Sequence, residues 1–343
     1  DTQGLSILAW AYATASHPAP ALLDAIAEQA VPLVGRFTAQ GLANTAWAYA
    51  TAHHPAPALL DAIAKEAPHR LADFKPQGLA NTAWAYAALA HPAPDLLDAI
   101  AATVAPAIGT MNTQEIANTA WAYVTADHPS EMLFGSPCFV DRCIELDAQG
   151  EGFALEGRCQ LHQWQLWLEL EGRGGGAWPA LPPDLAERYR ACFASRSVSP
   201  SILQRQVAAA LAALGLGVRE EVITPQGYSL DALVRVGGRD VGIEVDGPRH
   251  FLGRAPTGRT LLKRRQLRAA DWALVAVPYW DWNSMPEGRR EAAQPQLRRE
   301  YMAGRLEAEL HGAISAGEIL DGDRTQILDA GHPRRAGDEG EGV

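Results

Sequence analysis

Through the first 126 residues, apolar and polar positions alternate with a helical period set inside a longer one. Leu42, Ala46 and Tyr49 fall at i, i+4 and i+7, flanked by Ala43, Trp47 and Ala50, which makes a broad apolar stripe. His54-Pro55 interrupts it. Pro57 suits the first turn of a new helix, where Leu59, Leu60, Ile63 and Ala64 form a second stripe. The unit then recurs: Gln40 to Tyr49 is repeated unchanged from Gln77 to Tyr86, and from Gln114 to Tyr123 with only Glu115 and Ile116 differing. A looser copy runs from Gln3 to Tyr12, and tryptophans stand at 10, 47, 84 and 121. A helical hairpin with two apolar stripes buries both only by stacking on copies of itself, so the pattern predicts an α-solenoid.

A worn fifth copy is expected next, with Gln160 and Trp167 in the places of Gln40 and Trp47. Glycines at 172 and 174–176, then Pro179, Pro182 and Pro183, close the array. The chain opens within a repeat and without a methionine, which reads as a fragment with further repeats and any targeting segment upstream.

From Ser199-Pro200 the period changes. Ser199 is expected to cap a helix through Ile202, Val207, Ala210, Leu211 and Leu214, ending near Gly215-Leu216-Gly217. Strands are predicted over 218–224, 228–236 and 239–246, a basic helix over 259–270, a buried strand over 272–278 and an amphipathic helix over 295–310. The whole is an α-solenoid followed by an α/β module. The boundaries fall at 1–170 for the array, 171–198 for a connection, 199–311 for the module and 312–343 for an acidic tail expected to be disordered.

Gly237-Gly238 is a two-residue hairpin signal, and it fixes register: Val236 pairs with Arg239, which sets Asp231 opposite Glu244, with Asp246 on the same face. Opposed acids repel, so a cation is expected between them. Converging carboxylates suit Mg²⁺ or Mn²⁺, and an arginine bridge from Arg235 or Arg239 explains the same pattern.

Charge sharpens the division. The net charge is −11, and residues 1–150 carry 5 basic and 14 acidic side chains, which suits protein partners better than polyanions. Between Gly247 and Ala270 the sign reverses. Arg249, Arg254, Arg259, Lys263, Arg264, Arg265 and Arg268 stand there without one acid, a candidate phosphate-binding surface. Tyr279, Trp280 and Trp282 follow and either stack bases or cap the core. Asn44, Asn81 and Asn118 recur once per repeat, as amides that bond backbone within the stack or read bases. Cys138, Cys143, Cys159 and Cys192 form no CxxC pair and read as reduced, packed thiols. No apolar run is long enough to span a membrane.

Ile243-Glu244-Val245-Asp246-Gly247-Pro248-Arg249-His250-Phe251, Thr260-Leu261-Leu262-Lys263-Arg264-Arg265 and Val277-Pro278-Tyr279-Trp280-Asp281-Trp282 together resemble the RAP domain. The repeats look like those preceding RAP domains in FAST-kinase-like and octotricopeptide-type proteins. The resemblance implies a restriction-endonuclease-like fold and a role in mitochondrial or chloroplast RNA processing, stability or translation. It also implies a metal-dependent nuclease alternative, in which Asp231 and Glu244 match the two metal-holding acids of that fold. Asp246 then stands where a lysine is usual, and His250 or Lys263 supplies the missing group. RNA binding in an organelle is the first reading, nuclease activity the second and a protein-interaction scaffold the third.

Overall fold

The computed structural model describes residues 1–149, 152–195, 200–285, 294–311 and 319; the expected acidic tail otherwise lies outside them. The described chain is mostly helical, with a small mixed sheet in its C-terminal third. No helix among the described residues is long and apolar enough to cross a membrane.

The repeats form α1 (Thr2–Thr14), α2 (Pro20–Ala30), α3 (Ala39–Thr51), α4 (Pro57–Glu66), α5 (Pro76–Ala88), α6 (Pro94–Val104) and α7 (Thr113–Ala126). After them come α8 (Glu131–Phe134), α9 (Cys138–Ala148), α10 (Leu155–Leu170) and α11 (Pro183–Ala194). Proline opens α2, α4 and α6, where its missing N–H costs nothing. Thr38 caps α3, and Asn112 with Glu115 forms a capping box on α7. Ser16, His53, Ala90 and Asp127 turn the chain at the ends of α1, α3, α5 and α7, each in the left-handed region at φ 51°.

Helices α1, α3, α5, α7 and α10 pack side by side in that order. Each repeat is tied to the one before by the same two bonds. The hydroxyls of Tyr49, Tyr86 and Tyr123 donate to the carbonyls of Leu23, Leu60 and Leu97 at 2.6, 2.7 and 2.6 Å. The rings of His54, His91 and His128 meet Asp24, Asp61 and Asp98, each at 2.8 Å. Burial raises the pKa of all three tyrosines, so each stays a donor.

The fifth copy keeps the helix but not the register expected for it. Gly41 and Gly78 lie against Phe37 and Phe74, each four residues earlier, and Gly157 lies against Phe153 in the same way. Gln160 therefore takes the position of Asn118 rather than of Gln114, and Gln163 stands where Trp121 stands. The bonds agree, since Gln160 reaches Asn118 and Trp121 reaches Gln163, both at a separation of 42 residues. Trp167 is no repeat tryptophan; its indole donates to Asp127.

The C-terminal third contains α12 (Ile202–Ala212), β1 (Arg219–Ile223), β2 (Ser229–Val236), β3 (Arg239–Asp246), β4 (Phe251–Leu252), β5 (Ala255–Pro256), α13 (Gly258–Ala269), β6 (Ala273–Pro278), α14 (Tyr279–Asn283) and α15 (Gln294–Glu309). Ser199 lies outside the described residues; Ser201 caps α12 in a capping box with Gln204. The sheet order is β1-β2-β3-β6, with β2 and β3 antiparallel and β3 and β6 parallel. The Gly237-Gly238 turn sets the register as expected, pairing Val236 with Arg239 and Ala232 with Ile243.

The chain groups into two compact units that do not follow sequence order. One comprises Asp1–Ser197, Ile223–Ser229 and Gly247–Asp271; the other comprises Val198–Val222, Leu230–Asp246 and Trp272–Val343. In the second, Val207, Leu211, Val234, Ile243, Val275 and Leu306 share a dry core. In the first, Leu262 of α13 joins the core of the repeats.

Candidate nucleic-acid interface

Within the sheet unit, the three acids lie on β2 and β3. The β2–β3 ladder ends at the pair Ala232 and Ile243. Beyond it, Asp231 turns its carboxylate onto the neighbouring strand. Its Oδ2 accepts from the Val245 N–H at 2.6 Å, and its Oδ1 accepts from the Gln204 amide at 2.6 Å. Asp231 thus replaces a backbone acceptor where the ladder ends, with each of its oxygens accepting one bond. Glu244 and Asp246 are buried on the central strand, at 4% and 1% exposure. Among the described residues no group of three or more His, Cys, Asp and Glu is arranged to hold a metal ion. His250 and Lys263 belong to the other compact unit.

The aromatic residues divide. Trp282 is fully buried, donates its indole N–H to Gln206 at 3.0 Å and carries Arg298 over its ring, so it closes the core of the sheet unit. Tyr279 and Trp280 are half-buried and meet edge to face at 5.1 Å.

In the helical unit the basic stretch runs through a short loop into α13. The backbone carbonyl of His250 accepts from Thr257 N–H and Thr260 Oγ1, which fixes the loop to the first turn of the helix. Thr257 caps that turn. Lys263 donates to the Ser229 carbonyl at 2.7 Å, and Arg264 is half-buried. Arg259 pairs with Glu156 at 2.6 Å on the surface. Arg265 points inward, with its side chain 26% exposed. It meets Glu171 at 2.6 Å and donates to the Thr125 and Val124 carbonyls at the C-terminal end of α7. A cation there complements the negative end of the helix dipole. Burial of Glu171 raises its pKa, with Arg265 opposing the shift. Arg249, Arg254 and Arg268 are exposed.

Two of the repeat asparagines, Asn81 and Asn118, bond to one another across the stack. Asn118 donates to Asn81 at 3.3 Å, and Gln160 donates to Asn118 at 3.2 Å. Gln160 is thus a further rung that the sequence spacing misassigned.

Sequence reasoning also missed a buried polar chain. The Trp121 indole donates to Gln163 Oε1 at 3.1 Å, and Gln163 Nε2 donates to the Tyr228 hydroxyl at 2.9 Å. That hydroxyl donates to Gln266 Oε1 at 2.8 Å, while Gln266 Nε2 donates to the Gln163 carbonyl at 2.7 Å. A glutamine on the apolar side of a helix was the available signal, at 163 and again at 266.

Residues 243–294 match the RAP domain, so the chain carries that domain across the sheet strand β3, the basic helix and the strand β6. A relative from Oryza sativa subsp. japonica, a "RAP domain-containing protein, chloroplastic", is 36% identical over 102 residues. The aligned stretch is 29% of this chain and 15% of that protein's length.

Proposed function

We propose that the protein binds RNA in an organelle. RAP domains are associated with RNA-binding and organellar proteins, and the rice relative's name places that protein in the chloroplast. In this reading the helical repeats are an α-solenoid that scaffolds or reads the strand. The C-terminal module, residues 199–311, is a restriction-endonuclease-like fold used for binding, with no catalytic step assigned to it. A role in transcript processing, stability or translation belongs to the same proposal. The observation that carries it is the acid-free RAP stretch, which leaves Arg249, Arg254 and Arg268 exposed on an otherwise acidic chain.

Phosphate contacts release counterions, so each lost contact flattens the salt dependence of binding. Replacing Arg249, Arg254 and Arg268 together with glutamine is expected to weaken binding of a labelled single-stranded RNA. The log–log salt slope should fall by about 2, at ~0.7 per contact. Fluorescence anisotropy from low to moderate salt reads both quantities. An unchanged affinity and slope would remove these arginines from the interface, and a parent protein that binds no RNA at low salt would favour the protein-scaffold reading.

A further inference from the structure

We infer that the basic RAP helix α13 is an internal clasp: it docks on the ends of α5 and α7 and on α10, and Arg265 is a positioning residue for that docking. Three independent features of the helical unit meet at this contact. Gly258 opens α13 where a Cβ would overlap the Ala87 carbonyl and press on Thr125, so the helix start sits directly on repeat backbone. About two turns further on, Arg265 takes the last carbonyls of α7 and the buried acid Glu171, whose side chain is 7% exposed. Between them Leu262 is fully buried in the repeat core, and Gln266 closes the polar chain through Tyr228 and Gln163.

The wear of the fifth repeat follows from the same contact. Where α7 carries Trp121, α10 carries Gln163, and Gln163 serves Trp121, Tyr228 and Gln266 at once with its side chain and backbone. A tryptophan there would supply no acceptor for the first bond and no amide for the second. The change that makes the repeat irregular is the one that lets it receive the RAP helix. Every donor and acceptor in the chain is satisfied only when the repeats, Tyr228 and α13 are together, and a half-satisfied buried network costs more than none. The clasp therefore forms as a unit. A basic residue in a RAP helix is in this case a ligand of helix carbonyls, and its loss acts on RNA through the fold.

Hydrogen–deuterium exchange on the full chain, without RNA, tests this apart from the binding proposal. Gly258→Ala adds one methyl and no charge; Arg265→Gln removes the fork; Glu171→Gln removes only its anionic partner. Amides of 258–269 are expected to exchange at least about tenfold faster in the first two variants and less so in the third, while α3 keeps its protection. Should Gly258→Ala or Arg265→Gln lose protection throughout the chain, the Glu171→Gln result decides, with loosening confined to α13 as the supporting outcome. Unchanged protection of 258–269 in Glu171→Gln and in whichever of the other two variants folds would overturn the clasp.

Discussion

Helices α7 and α10 hold the same place in successive hairpins and meet different neighbours. The α7 helix continues the repeat pattern: Tyr123 reaches back to Leu97, His128 to Asp98, and Ala117, Ala120 and Trp121 pack between helices. The α10 helix keeps the close glycine at 157 and the amide rung at 160, then buries His162, Gln163 and Gln165 where α7 has Ala120, Trp121 and Tyr123. Buried polar side chains are usually bonded, and each of these three makes at least one bond. Gln165 accepts from the Leu181 N–H, His162 from its ring reaches the Gln226 carbonyl, and Gln163 serves the chain already described. The difference shows how a repeat is converted from a stacking surface into a docking surface without losing its helix.

Cutting the converted side is expected to cost most. Gln266→Ala removes a donor and an acceptor at a fully buried position, leaving the Tyr228 hydroxyl and Gln163 without those partners. A loss of about 3 kcal/mol is expected in urea unfolding, because unsatisfied buried groups each cost ~1–3 kcal/mol. A loss below that for one ordinary hydrogen bond would mean the network is dispensable and the two helices are energetically alike.

The matching cut on the regular side is smaller. Tyr86→Phe deletes one hydrogen bond to the Leu60 carbonyl and keeps the ring, so about 1 kcal/mol is expected from the same measurement. An equal or larger loss than for Gln266→Ala would reverse the comparison.

The smallest effect is a pH dependence that His162 gives to α10. Burial lowers the His162 pKa from its ordinary 6.5, while Nε2–H donates to the Gln226 carbonyl at 2.8 Å. The unfolded chain then binds the proton more readily than the folded one, so stability falls as the pH drops below 6.5 towards the folded value. His162→Gln retains a donor for Gln226 and is expected to flatten that segment of the stability–pH curve. A curve of unchanged slope would assign the acid sensitivity to other groups.

The sequence by itself determined what is local or periodic. The 37-residue spacing, the proline starts and the apolar stripes specified the hairpins, and Gly237-Gly238 specified the β2–β3 register down to individual pairs. Strand β6 and helix α15 were legible from the same periodicities. Only the tertiary structure decided which contacts cross between distant segments. Register placed Asp231 opposite Glu244, but the carboxylate went to Val245 and Gln204, because the end of a ladder leaves an N–H that must be satisfied. Charge counting grouped seven cations as one surface, yet a cation is drawn inward wherever helix carbonyls and an acid outcompete water. For Arg265 those groups come from Val124, Thr125 and Glu171, about 90 to 140 residues away in sequence. Spacing likewise misplaced the fifth repeat, because the residue that defined the pattern, its tryptophan, had been exchanged for the glutamine that holds the RAP helix. Periodicity records what each segment does with its copies; the partners that break the period are fixed only when the chain is folded.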